Sequence, residues 1–414
     1  MPYAEILSQG DEVVTGQIAD TNAAWLSDRL TELGFTVRRH TAVGDRPEDI
    51  RDALVEISSR SDLCIGTGGL GPTDDDHTAR AVAAAFDRPL QFDDEAMRQI
   101  EAMYAKFRRS MPEINRRQAW LPSGADRLDN AWGTAPGFAV RHHRCMFVFL
   151  PGVPREMKPM FEERVVPRLH EQFSLESAHL VTLRTVGIGE SEMQARVGSI
   201  AHPGVTVGTR TILPENHLKL RFIPSIHESE RRAIATEIAA RIGTAVFAIE
   251  GLGEPGGSLA EVVGRMLVQR GATLATAESC TGGRLAAACT SISGSSAWFV
   301  EGTVCYANAA KLRLLGVDPA ALEQHGAVSE PVARQMAQGA RAAAQSTYAL
   351  STTGIAGPGG GSDAKPIGTV HLALATPAGA VHREIHLGGD RSRIQDLATA
   401  SALDLLRRHL AGEA

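Results

Sequence analysis

The sequence predicts an α/β fold built from more than one domain. Three observations carry this. The chain of 414 residues is too long for one ordinary hydrophobic core. Short β-branched runs alternate with Ala-rich helical stretches, and 41 glycines punctuate them, which favours α/β units over a sandwich or a bundle. Compact apolar runs such as M-F-V-F-L over 146–150 fit strands buried on both faces of a parallel sheet.

The first domain, residues 1–170, reads as strand 4–8, helix 21–33, strand 35–41, helix 48–59 and strand 62–66. Asp20 precedes Thr21-Asn22 and can cap the first helix. A turn spans Gly68 to Pro72, and a helix follows from Thr78. The strand at 146–150 is stopped by Pro151-Gly152, and Pro154 opens the next helix. Residues 171–250 form a small α+β linking module, with strands 180–186 and 217–222 and helices after Gly189 and over 228–241. Gly251 to Gly257 is a flexible joint. The last domain, 251–414, begins with helix 258–270, strand 272–276 and helix 282–289. Strand 302–306, helix 307–315, helix 330–345 and strand 348–353 follow. Strands 369–376 and 380–387 pair antiparallel around Pro377-Ala378-Gly379, and a helix over 392–410 closes the chain.

Composition narrows the function. Forty-two basic and 48 acidic residues give a net charge of −6. No basic block or aromatic-basic stripe points to direct nucleic-acid binding. No window is long and apolar enough to span a membrane, and the amino terminus lacks a signal-peptide pattern. The five cysteines match neither a disulfide framework nor a zinc site, which fits a reducing cytoplasm. Two α/β domains with extended helices suggest a homodimer.

The densest chemistry lies at 275–311. Ser279 follows Glu278 after an apolar strand, and Gly282 and Gly283 open a helix. That context exposes a side chain at the carboxyl end of a strand, where open α/β sheets keep their sites. Amides of the turn and first helical turn can hold an anion or a developing oxyanion. Serine needs a neighbouring base. Lys311 with its pKa lowered by desolvation can accept the serine proton, and Tyr306 can relay that proton or orient the base. Such a set hydrolyses an amide without a metal. Motif chemistry alone leaves open that Ser279 caps a helix and that Lys311 lies on the surface. Cys280 reads as buried apolar filler. The loop from Thr353 to Gly368, with Gly357, Gly359 and Gly360, can cradle a phosphate, with Lys365 adding charge. Arg391 can bind a carboxylate or phosphate, and a cap on the last helix by Asp390 is an equally cheap reading.

A second constellation lies near the amino terminus. Gly68, Gly69 and Gly71 make a tight loop suited to phosphate. Asp74, Asp75 and Asp76 follow and suit a hydrated divalent cation, unless they only cap a helix. Asp11 and Glu12 end the first strand and can face the same crevice, and Thr134 to Gly137 can form a lid.

These motifs resemble a known family. T-A-E-S-C-T-G-G over 276–283, Y-A-N-A-A-K over 306–311, G-A-V-S-E over 326–330 and the loop 353–368 are similar to the CinA carboxy-terminal domain, the nicotinamide-nucleotide amidohydrolases. The likeness covers about 255–412. It implies hydrolysis of the carboxamide of nicotinamide mononucleotide to nicotinic acid mononucleotide and ammonia, without a cofactor. Ser279 takes the nucleophile position, Lys311 and Tyr306 the proton-handling positions, and Thr281, Gly282 and Gly283 sit at the substrate. Where members often carry Y-S-N, this chain has Tyr306-Ala307-Asn308.

The amino-terminal half resembles the molybdopterin-binding fold of the same family. The signatures are Gly10-Asp11-Glu12, Gly16, Asp20, Asn22, the run from Gly68 through Thr73 to Thr78, Asn130 to Phe138, and Pro151 to Met157. Some members resembling this half hydrolyse ADP-ribose to AMP and ribose 5-phosphate with a divalent metal, for which Asp75 and Asp76 occupy the expected places. Molybdopterin binding, or a non-enzymatic role in competence or DNA damage, are the alternatives.

Overall fold

The computed structural model describes residues 2–176, 178–200 and 202–413. The chain divides into two compact units, Met1–Ala178 and His179–Ala414.

The first unit is built on a six-stranded sheet. Its order is Thr36–Val43, Tyr3–Gln9, Leu63–Thr67, Cys145–Leu150, Gly137–His142 and Asp126–Leu128. The first four strands run parallel and the last two join antiparallel. Every residue of Cys145–Leu150 is buried, because helices cover both faces of the sheet. One face packs Leu26 and Leu30 of helix Thr21–Glu32 with Met157 and Met160. The other packs Ile50, Leu54 and Ile57 of helix Pro47–Arg60 with Ala81 and Val82. This layering brings Gly10, Gly68 and Pro151 together at the carboxyl ends of three parallel strands.

The linking module is a four-stranded antiparallel sheet, ordered Val205–Ile212, Glu215–Phe222, His179–Val186, Val246–Glu250. Helices Glu190–Val197 and Glu228–Ile242 cover it and close a core of its own around Leu183, Leu220 and Ile238. Its Val186 and Phe247 also enter the core of the carboxy-terminal domain.

That last domain holds a five-stranded mixed sheet. The order is Phe299–Val304, Leu274–Glu278, Tyr348–Gly354, Thr369–Thr376, Gly379–His386. The first three strands are parallel and the last two antiparallel, the pair expected around Gly379. Helices Leu259–Gln269 and Arg391–Ala411 cover one face, and Glu330–Ala344 the other. Ser258 and Glu261 form a reciprocal capping box that fixes the start of the first of these helices.

Of the boundaries that differ from the sequence expectation, two matter for the site. The strand expected at 272–276 is Leu274–Glu278, so Ser279 follows it directly. The strand expected at 302–306 is Phe299–Val304, so Tyr306 lies in the turn beyond it. Inside that edge strand helix Arg284–Thr290 crosses at Gly302, where a Cβ would stand 2.8 Å from the Ala286 Cβ.

Candidate active site

Ser279 and Lys311 meet. The Lys311 Nζ lies 3.0 Å from Ser279 Oγ. It also donates to the carbonyls of Cys305 at 2.9 Å and Tyr306 at 3.1 Å. The lysine side chain is 1% exposed and the serine 9%. No carboxylate pairs with Lys311 among the described residues. Burial therefore pulls its pKa below the ordinary lysine value, against a smaller opposing pull from Cys305 and Cys280. The geometry assigns protons. Carbonyl oxygens only accept, so two N–H groups of the amine point at Cys305 and Tyr306. In the neutral amine the remaining position, a lone pair, faces Ser279 Oγ.

The turn that presents Ser279 is held from several sides. Its amide donates to Thr352 O at 2.9 Å, which extends the ladder between strands Leu274–Glu278 and Tyr348–Gly354 by one residue. Gly282 and Gly283 have φ of 61° and 102°, the left-handed region that a side chain disfavours, and so allow the reversal into the helix. Glu278 is fully buried. Its carboxylate accepts from the hydroxyl of Thr281 at 2.6 Å and from the amides of Gly283, Leu285 and Ala286 at 2.9, 3.0 and 2.8 Å. Gln395 of the last helix donates to Cys280 O at 2.8 Å.

This corrects one expectation. The first-turn amides expected to hold an anion are committed to Glu278, which is itself the anion at that helix start. Glu278, expected at the substrate, is enclosed behind the turn. Thr281 is likewise buried and shares a 2.7 Å hydrogen bond with Thr352 Oγ1. Cys280 is buried filler, its thiol pushed up to about 12 by burial.

Tyr306 presents two groups in opposite senses. Its carbonyl holds Lys311, whereas its phenol is exposed and accepts from Arg391 Nη2 at 2.8 Å. Arg391 Nη1 donates to Gly357 O at 2.7 Å. Arg391 thus ties together the tyrosine turn, the glycine-rich loop and the start of the last helix. Asp390 caps that helix by accepting from the Arg393 amide, so the cap and the arginine coexist. Lys365 donates to the carbonyls of His325 at 2.8 Å and Val328 at 2.7 Å and so anchors the loop. Gly359 and Gly360 lie in the exposed part of the same loop.

The amino-terminal unit carries a cleft of about 570 Å³. Glu12, Asp20, Asn22, Gly68, Gly69, Gly71, Asp75, Asp76 and Thr134 line it. Asp20 also caps its helix by accepting from the Ala23 amide. Asp11 is not in the wall; it exchanges backbone-to-carboxylate hydrogen bonds with Asp45. Gly137 opens a buried strand behind the cleft, where a Cβ would stand 2.6 Å from Phe149 O. Thr73 faces a neighbouring cavity. Asp45 was missed: it follows strand Thr36–Val43, and the signal was that strand's carboxyl end beside Asp11. Burial, reinforced by the charges of Asp11, Glu12 and Asp75, raises its pKa.

The metal expectation meets an obstacle here. Both Asp76 oxygens accept loop donors, Gly71 N at 2.7 Å, Thr73 N at 2.8 Å and Thr73 Oγ1 at 2.6 Å. Asp75 is exposed, and Thr73 lowers its pKa by a hydrogen bond. Among the described residues no three His, Cys, Asp or Glu side chains converge to hold an ion. The residues as arranged do not fit a divalent-metal cage.

Comparison with known proteins follows this division. Residues 257–410 match the family described as CinA C-terminal domain, and residues 5–171 the one described as probable molybdopterin binding domain. A CinA-like protein of Anaeromyxobacter sp. (strain Fw109-5) is 44% identical over 408 residues, 98% of each chain. The nicotinamide-nucleotide amidohydrolase PncC of Shewanella oneidensis is 40% identical over 413 residues, 99% of this chain and 96% of that one. Among solved structures, the competence/damage inducible protein CihA from Agrobacterium tumefaciens is 41% identical, covering 38% of this chain and 99% of its own at a TM-score of 0.36. No described helix is long and apolar enough to cross a membrane. With both domain families present in order and relatives alike over nearly its whole length, the chain belongs to the CinA family.

Proposed function

We propose that the carboxy-terminal domain hydrolyses the carboxamide of nicotinamide mononucleotide to nicotinic acid mononucleotide and ammonia. The observation that carries this is a buried lysine whose uncommitted position faces a serine hydroxyl at 3.0 Å. The name of the Shewanella oneidensis relative supports the particular amide.

The chemistry follows from the proton assignment. Ser279 Oγ attacks the carboxamide carbon while its proton passes to Lys311 Nζ. The intermediate collapses, the C–N bond breaks, and ammonia leaves with the proton from Lys311. Water then attacks the acyl ester and gives a proton to Lys311, which returns it to Ser279 as the C–O bond breaks. Stabilising the oxyanion falls to the turn amides of Cys280 and Thr281, which Glu278 does not engage. Arg391, braced by Tyr306 and Gly357, takes the phosphate of the nucleotide. In this reading Tyr306 positions its neighbours through both its carbonyl and its phenol.

The test is ammonia release from nicotinamide mononucleotide by the full chain. Ser279→Ala should lower the rate by about a thousandfold or more. Full activity in that variant, or no ammonia from the unaltered chain, sinks the reading.

For the amino-terminal cleft, three buried polar atoms without partners favour a polar ligand: Ser8 Oγ, Gln9 Nε2 and Asn22 Oδ1. ADP-ribose is the candidate the resemblance supplies. AMP release from ADP-ribose, with and without divalent cations, checks it.

A further inference from the structure

The G-A-V-S-E stretch ends in Glu330, and two histidines beside that acid take no part in the serine–lysine chemistry. His371 of strand Thr369–Thr376 pairs in register with Glu384, which makes it the diagonal neighbour of His382 on strand Gly379–His386. Both lie on the sheet face that helix Glu330–Ala344 covers, beside Ala373, the register partner of His382. His371 Nδ1 is 3.0 Å from His382 Nε2, with the ring planes 22° apart. His382 Nδ1 faces Glu330 Oε2 at 3.5 Å, and Arg334 donates to Glu330 Oε1 at 2.8 Å. His371 is 6% exposed and the His382 side chain 10%, so water does little to stabilise charge on either ring.

The contact limits how many protons the pair can hold. Two ring nitrogens at this distance need one hydrogen between them. Glu330 favours a proton on His382 Nδ1, so in the neutral pair His382 Nε2 carries the lone pair and His371 Nδ1 donates to it. A first added proton is accommodated: His382 donates through Nε2, and His371 keeps its own hydrogen on Nε2. A second sets N–H against N–H and charge against charge, and the contact breaks. Glu330 and Glu384 face the pair, but so do Arg334 and Lys365, and Glu330 is shared with Arg334.

Glu330 opens its helix, and the segment before it holds the glycine-rich loop near both ends. Thr353 Oγ1 donates to Ala327 O at 2.7 Å, and Lys365 to the carbonyls of His325 and Val328. We propose that the His371–His382 contact is an acid-released latch, which when closed holds the start of helix Glu330–Ala344 to the sheet and through it the glycine-rich loop. Burial keeps both imidazoles neutral to a lower pH than in an unfolded chain, where the ordinary value is 6.5. The latch therefore contributes fully above that value and is lost as pH falls through the lower values of the folded pair. None of this rests on either catalytic reading.

The experiment is hydrogen–deuterium exchange of the full chain at about pH 7.5 and about pH 5, with rates corrected for the intrinsic pH dependence of exchange. Peptides covering 325–330 and 354–368 should lose protection about tenfold or more at the lower pH, while strand Leu274–Glu278 keeps its own. In His382→Gln the loss should vanish, because an amide cannot take up the proton; a merely structural histidine would instead leave this variant loosened at both pH values. His371→Gln should behave alike and serves if the first variant does not fold. Unchanged protection in the unaltered chain, a loss shared by strand Leu274–Glu278, or a loss that persists in the glutamine variants overturns the proposal.

Discussion

Lys311 sits where a charged lysine is costly, and its neighbours do little to offset that cost. Two carbonyls and a serine hydroxyl satisfy its hydrogen bonds, but none of them carries charge. In the proposed reaction the neutral amine is therefore the working form. Activity should rise with pH and fall away as pH drops through a pKa lying below the ordinary lysine value of 10.5. A rate profile across alkaline pH measures this, and an acidic limb at or above the ordinary lysine value contradicts it. Lys311→Arg keeps length and charge but cannot give up its proton, so the rate should fall by about 10²–10⁴-fold. Retention of activity in that variant would assign the base elsewhere.

At the scale of elements, the proposed nucleophile, Ser279, is presented by a turn organised around Glu278. Replacing this acid by glutamine keeps the size but turns one acceptor into a donor facing amide N–H groups. Glu278→Gln should cost about 1–3 kcal/mol of stability and lower kcat with little change in KM. Urea unfolding and steady-state kinetics read the two effects separately; a variant that changes KM alone would put Glu278 at the substrate after all. The sequence made Ser279 and Lys311 legible because an apolar strand, a serine and paired glycines leave few local conformations. It did not reveal what Glu278 does, since an acid beside a candidate nucleophile looks like substrate machinery until the helix amides are placed. Strands Val205–Ile212 and Val246–Glu250 were also unread. The first is a Thr- and Gly-containing edge with little burial, and the second has only five residues, so neither shows a clear alternation. Thr352 is in register with Glu278 across parallel strands, a pairing that no local pattern announces.

Across the whole molecule, the chain forms two compact units, and in the second the linking module, with a core of its own, also contributes Val186 and Phe247 to the core of the carboxy-terminal domain. Ser279, Lys311, Tyr306 and Arg391 all lie in the second unit. A chain of residues 179–414 should therefore retain ammonia release with an unchanged KM and unfold in one calorimetric transition. An inactive fragment would mean that the site needs the amino-terminal half. The enclosed lysine also decides which chemical labels can report on this protein. Histidine-modifying reagents have no target in the pair, and bulky amine reagents cannot reach a side chain that is 1% exposed. Small electrophiles that acylate serine are the matching class, and their labelling should fade with acidification alongside the supply of unprotonated amine beneath the turn.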